Sequence, residues 1–174
     1  MFLETRRLIL RRFREADFED FCAFAMEADM SRMMGRESLA TREEAWRAFR
    51  QTRDRSLRGY ALVLKETGRV IGNLTVTQPP RCAAAAGHLA GRQGRALSFA
   101  ISRHYRRQGL MEEAVRAVIR ALLSEGMDYI QCGSFDFNTA SAALQKKLGF
   151  EYLTTERMDL EGETCTAIWR ILWR

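Results

Sequence analysis

The chain has 174 residues, enough for one packed core and too few for two. With 47% hydrophobic and 29% charged residues, two prolines and twelve glycines, its composition excludes disordered, collagen-like and disulfide-scaffold classes. Lys and Arg outnumber Asp and Glu by 28 to 22, and the net charge of +6 permits acidic or phosphate-bearing partners without naming one. Only Lys65, Lys146 and Lys147 are lysines, so the basic excess is arginine, which fits a compositional bias as well as phosphate binding.

Cys22, Cys82, Cys132 and Cys165 lie far apart with no C-x-x-C pair, which points to reduced structural thiols in a cytosolic setting and to no metal site. The first 18 residues carry Arg6, Arg7, Arg11, Arg12 and Arg14 and no apolar run of the secretory type. No stretch approaches the roughly 20 apolar residues that cross a bilayer. The expectation is a soluble, cytoplasmic protein.

In chain order, Leu8, Leu10 and Phe13 between arginines predict a first strand over Arg6 to Arg14. Asp17 reads as the N-cap of a helix over Phe18 to Met26, with Phe18, Phe21, Cys22 and Ala25 on one face. Thr41 and Glu44 form a capping box that opens a second helix to about Asp54, with Ala45, Ala48 and Phe49 inward. Tyr60 to Lys65 and Val70 to Thr77 predict a hairpin around Gly68. Arg81 to Arg95, with four consecutive alanines and three glycines, reads as a mobile loop. A strand over Ala96 to Ser102, a strongly amphipathic helix over Leu110 to Leu123, a strand over Tyr129 to Phe135, a helix over Ala140 to Leu148 and strands over Phe150 to Arg157 and Thr164 to Trp173 complete an α+β domain with a mixed sheet.

The richest segment runs from Ile101 to Ala114, where a strand passes through a turn bearing Arg106, Arg107 and Gly109 straight into a long helix. Free N–H groups at the positive end of a helix suit a pyrophosphate, a glycine admits close backbone approach, and arginines add charge-assisted bonds. Here the sequence resembles the GCN5-related N-acetyltransferase (GNAT) superfamily, in particular its ribosomal-protein-alanine N-acetyltransferase-like branch. Three patches carry the resemblance: Leu3-Glu-Thr-Arg-Arg-Leu-Ile-Leu-Arg11 with Asp17, Arg106-Arg-Gln-Gly109, and Asn138-Thr-Ala-Ser141 with Leu148-Gly149-Phe150.

The resemblance implies the GNAT fold over residues 1–174 as a single domain, a mixed central sheet flanked by helices. It implies acetyl-CoA as co-substrate and an amine acceptor, which is a protein N-terminus or a small molecule. The strand before the loop should bulge and splay from its neighbour, with Phe99, Ala100 and Ile101 bonding the pantetheine arm and Arg106, Arg107, Gln108, Gly109, Leu110 and Met111 cradling the pyrophosphate. Met111 departs from the family, which has Gly or Ala there. Asn138 should face the pantetheine or support the strand end, and an N-cap of the following helix is compatible with both. Ser141 is the implied proton donor to the CoA sulfur; the family's frequent glutamate base falls on Ala96 and its tyrosine acid on Gln145. Those two departures, together with Met111, keep a second reading open, a catalytically weak acetyl-CoA-binding module with a regulatory or binding role. His104 and His88 read as exposed loop residues, Tyr105 as packed under the loop, and Trp46 as either substrate mouth or core. Trp169 and Trp173 suit core or homodimer contact. The arginines are scattered with no aromatic interleaving, which disfavours nucleic acid.

Overall fold

Alternating apolar residues build the strands β1 (Leu3–Glu4), β2 (Leu8–Arg12), β3 (Arg58–Leu64), β4 (Val70–Thr77), β5 (Gly94–Ile101), β6 (Tyr129–Phe135), β7 (Glu151–Leu160) and β8 (Glu163–Trp173). The helices are α1 (Phe18–Ala25), α2 (Met30–Met34), α3 (Arg42–Asp54), α4 (Ala86–Leu89), α5 (Leu110–Ser124) and α6 (Thr139–Lys147). This is a computed structural model, and it describes residues 2–36, 38–54, 57–80, 86–160 and 162–174. All strands join one sheet in the order β1-β2-β3-β4-β5-β6-β8-β7. Every neighbouring pair is antiparallel except β5 and β6, which run parallel.

Each face of the sheet has its own core. On one face Leu8, Leu10, Leu62, Leu74 and Ile130 meet α5 through Leu110, Ala114, Val118 and Leu122, with Leu144 and Leu148 from α6 and its C-terminal turn beside them. On the other, Ala61, Val63, Val70 and Ala100 meet Phe21, Phe24, Met30 and Phe49 from α1, α2 and α3. Phe21 and Phe49 are fully buried, each contributing roughly 2–3 kcal/mol. Trp46 belongs to this aromatic cluster, 4.8 Å from Phe18 and stacked at 5.5 Å on Phe49. The core reading of Trp46 is the one realised.

Several expectations change. Asp17 precedes α1 without capping it: its backbone is already helical, and its carboxylate takes the Arg14 N–H at 2.7 Å and both Arg11 Nη groups at 2.7 and 2.9 Å. Burial alone raises such a carboxyl, yet these donors outweigh it and hold Asp17 below its ordinary range. The stretch from Arg81 is not all loop, since α4 forms at Ala86–Leu89, and the Gln93 carbonyl accepts the Asp128 N–H while its own N–H donates to the Asp128 carboxylate; residues 81–85, including Cys82, lie outside those described. β1, α2 and α4 are too short to show a period in sequence. The capping box holds, with Glu44 N–H to Thr41 Oγ1 at 3.2 Å and Thr41 N–H to Glu44 Oε2 at 3.0 Å. Cys22, Cys132 and Cys165 are buried free thiols. Among the described residues no helix is long and apolar enough to cross a membrane, and no His, Cys, Asp and Glu cluster could hold a metal.

Candidate active site

The site begins where two parallel strands part. β5 and β6 pair from Gly94↔Tyr129 only as far as Leu97↔Cys132, although β5 runs on to Ile101 and β6 to Phe135. Beyond that branch β6 stays with β8, down to Phe135↔Ala167, and β5 stays with β4. Gly133 sits just past the branch with the Trp169 ring where its Cβ would be, 2.9 Å away, which ties β6 toward β8. The result is a wedge-shaped gap along which the β6-facing edge of Phe99, Ala100 and Ile101 has no strand partner among the described residues. Their N–H and C=O groups on that edge, apart from the Ile101 carbonyl, which accepts from Arg106 Nε at 3.3 Å, suit an extended amide-bearing arm. The expected bulge in β5 is absent: its register with β4 runs unbroken from Gly72↔Ile101 to Thr77↔Ala96. The departure of β6 opens the gap.

Both strands then turn at the same edge of the sheet. β5 leads through a short 3-10 turn, Arg103–Tyr105, into the loop before α5, and β6 leads into α6, so the loop and the start of α6 flank one gap. Gly109 (φ 74) and Arg107 (φ 60) both adopt left-handed backbone, and such alternation turns successive N–H groups into one concavity. No side chain caps α5, leaving its first-turn N–H groups to an anion. The Gln108 carbonyl, which would oppose an anion, is drawn off by Arg7 Nη1 at 2.9 Å. Arg7 is fixed in turn by Glu113 at 2.8 Å, whose carboxylate also accepts from the Arg7 N–H and from Thr5 Oγ1. Burial raises the Glu113 carboxyl, but these donors prevail and keep it low.

The expected site residues differ in how they stand here. Leu110 and Met111 send their side chains into the core under α5, so only their backbone faces the loop, and the methionine's volume is absorbed there. Arg107 and Gln108 are exposed. Arg106 does not reach outward: its guanidinium is held by Asp29, by Glu27 at 3.4 Å and by the Ile101 carbonyl at 3.3 Å. That arginine in turn holds the Asp29 carboxyl low. Glu27 also takes Ser102 Oγ at 2.7 Å and the Arg103 N–H at 2.9 Å. Lys147 pairs with Glu112, while the Arg103 guanidinium makes no ion pair among the described residues, although its charge acts on Asp29.

Asn138 N-caps α6, its Oδ1 accepting the Ser141 N–H at 3.1 Å. Ser141 is half-buried one turn into that helix and its Oγ accepts from Gln145 Nε2 at 3.0 Å. Ala96 is buried on the opposite face, side by side with Gln131, whose amide is fully buried with neither polar atom bonded. No carboxylate stands at the Ala96 position. His104 and His88 are exposed, and Tyr105 packs against the core under the loop. Trp169 donates to Glu156 at 3.0 Å, while Trp173, partly exposed, lies against Tyr129. The Arg7–Glu113 clamp, the Glu27 bridge and a buried Arg170 beside Gln145 were not foreseeable from local sequence.

Comparison with known proteins gives this geometry a context. A family model described as "Acetyltransferase (GNAT) domain" matches residues 7–151. No curated protein matches the sequence. Among solved structures, an acetyltransferase (GNAT family) from Bacillus anthracis superposes with a TM-score of 0.84 at 15% identity, over 99% of this chain and 98% of that one. A ribosomal-protein-alanine N-acetyltransferase from Brucella melitensis gives 0.71 at 20% identity, over 95% and 99%. At such identities the likeness is one of fold.

Proposed function

Because the chain belongs to the GNAT acetyltransferase family, we propose that it takes acetyl-CoA as co-substrate and transfers the acetyl group to a primary amine by direct attack in a ternary complex. In this reading residues 1–174 act as one catalytic domain in the cytoplasm. The observation that carries it is the coincidence at one sheet edge of an unpaired strand flank, an uncapped helix N-terminus and a loop with two left-handed residues. Phe99, Ala100 and Ile101 bind the pantetheine through the backbone. Arg106 to Met111 hold the pyrophosphate through N–H groups, and Arg107 adds charge. Free N–H groups on the β5 flank meet the oxyanion of the tetrahedral intermediate. When the C–S bond breaks its electron pair goes to sulfur, and Ser141 donates toward it.

The missing carboxylate at Ala96 bears on the acceptor. An α-amine, with a pKa of about 7.7–8.0, is roughly a tenth neutral at pH 7, whereas a lysine amine near 10.4 is below a thousandth. A site with no base at that position favours the first, its proton leaving to water. An alanine-terminated peptide is therefore the first acceptor to try, in keeping with the Brucella neighbour's name. The alternative, a module that binds acetyl-CoA with little turnover, draws on the same Ala96. Calorimetric titration with acetyl-CoA and CoA, followed by thiol-release assays over α-amine and lysine-like acceptors, separates the two. Binding with turnover on α-amines supports the enzyme, binding without turnover supports the module, and no binding at high micromolar cofactor refutes both.

A further inference from the structure

Arg170, on β8, is 6% exposed and has no carboxylate within 4.0 Å among the described residues. Its Nη1 meets two neutral acceptors, Gln145 Oε1 and Ser134 Oγ, each at 3.1 Å. Arg11, which has Asp17, and Arg106, which has Asp29, contrast with it; Arg36, also without a carboxylate among the described residues, lies away from the gap near Ala25. A buried cation with no counter-charge is among the costliest features a fold can carry, and an anion arriving beside it removes that cost.

Its place in the sheet indicates which anion. Arg170 pairs with Cys132, the last β6 residue still bonded to β5, and Ser134 stands on the flank just past the branch. The guanidinium therefore lies at the apex of the gap, on the face that carries α5 and α6. An arginine only donates, so the Gln145 oxygen must turn to Arg170. Its NH2 group then divides between the Gly133 carbonyl at 3.2 Å and Ser141 Oγ at 3.0 Å. Ser141 Oγ is thus an acceptor from Gln145, and its hydrogen has no acceptor among the described residues. Two hydrogen bonds in series, Arg170 to Gln145 and Gln145 to Ser141, carry the influence of the cation to that hydroxyl, each polarising the next.

We infer that the relay Arg170–Gln145–Ser141 is a seat for the thiolate of CoA, the leaving group of acetyl transfer, with Gln145 and Arg170 as positioning residues. This rests on the proposed placement of acetyl-CoA in the gap. The C–S bond breaks with its electron pair on sulfur, the thiolate is retained as an anion, and it takes a proton from water on release. The proton lost by the attacking nitrogen goes to water, so the balance closes without a further reactant. None of the other groups around Arg170 supplies it with a counter-charge. The Cys132 thiol beside it is pushed up to about 12 by burial and stays neutral; Tyr152, its β7 neighbour, is exposed. From α5 and α6, Glu112 is engaged by Arg116 and Lys147, and Lys146 is exposed.

The test is the ratio of CoA to acetyl-CoA affinity against pH on the intact protein, since both ligands carry the same phosphates and only CoA has a thiol. Free thiol ionises near 8.5, so a depression of one unit on binding raises the ratio about fivefold between roughly pH 6.5 and 8.5. Arg170→Met should flatten that rise while acetyl-CoA still binds, and Arg170→Lys should restore part of it. Should Arg170→Met fail to fold, Gln145→Leu, which severs the relay and leaves the cation, should lose most of the slope. A flat ratio in the wild type overturns the inference while leaving the acetyltransferase reading intact. Failure to bind either ligand overturns both.

Discussion

Gly109 is the residue on which the cofactor loop turns, and its replacement separates backbone strain from loss of function. An L-residue in left-handed conformation costs about 1–2 kcal/mol, and Gly109 has φ 74. A Cβ there would meet only Arg7 Nη2, at 3.5 Å, an ordinary contact, so no clash adds to the strain. Gly109→Ala should therefore lower the ligand-free Tm by about 2–8 °C for a chain of this size. Gly109→Val is a true outlier in that region, so the loop must re-form and two or more N–H groups lose their aim. Hydrogen bonds to a charged group contribute about 1.5–3 kcal/mol each, and losing two weakens acetyl-CoA binding by roughly 10²- to 10⁴-fold. Calorimetry and thermal melts of the same samples give both numbers. A Gly109→Val protein that binds acetyl-CoA like the wild type would refute the loop assignment, and an unchanged Tm for Gly109→Ala would refute the strain argument.

Three further outcomes are expected. Asp17 is held below its ordinary range in the fold, so it stabilises at pH above its unfolded value of about 3.9 and that stability is lost as pH falls through the folded value. Asp17→Asn should cost about 3 kcal/mol at neutral pH and flatten the acid limb of a denaturant-melt series; parallel acid limbs in both proteins would sink this. Asn138→Ala should lose about 1 kcal/mol with the α6 cap, while Asn138→Ser stays within a few tenths, as thermal melts will show. At Gly72 a Cβ would overlap the Ala100 carbonyl oxygen, a backbone atom, so Gly72→Ala should part β4 from β5 and cost roughly 3 kcal/mol or more; a fully stable variant would contradict the register.

What the sequence revealed follows the range of each signal. The Thr41–Glu44 box spans three residues and is legible as written, and the α5 periodicity and the Gly109 turn are equally local. Arg7 and Glu113 lie 106 positions apart, and neither carries a mark of the other. Asp17 has the right letter for a cap, but Arg11, six residues back, claims it. Arg106 looks like a phosphate ligand by its neighbours, and only the fold shows Asp29 taking its guanidinium. Gln145 reads as a lost tyrosine until β8 brings Arg170 beside it.

The Glu27 carboxylate reaches Ser102, Arg103 and Arg106 at the rim where β5 ends. Glu27 itself belongs to the turn between α1 and α2, which pack on one face of the sheet, whereas the loop it grips feeds α5 on the other. The two faces are thus laced around the edge of the sheet, and a displacement need not cross the hydrogen-bonded strands to pass between them. Whatever steadies the loop also steadies the α1–α2 turn, and by reciprocity a molecule settling against that turn is felt at the loop.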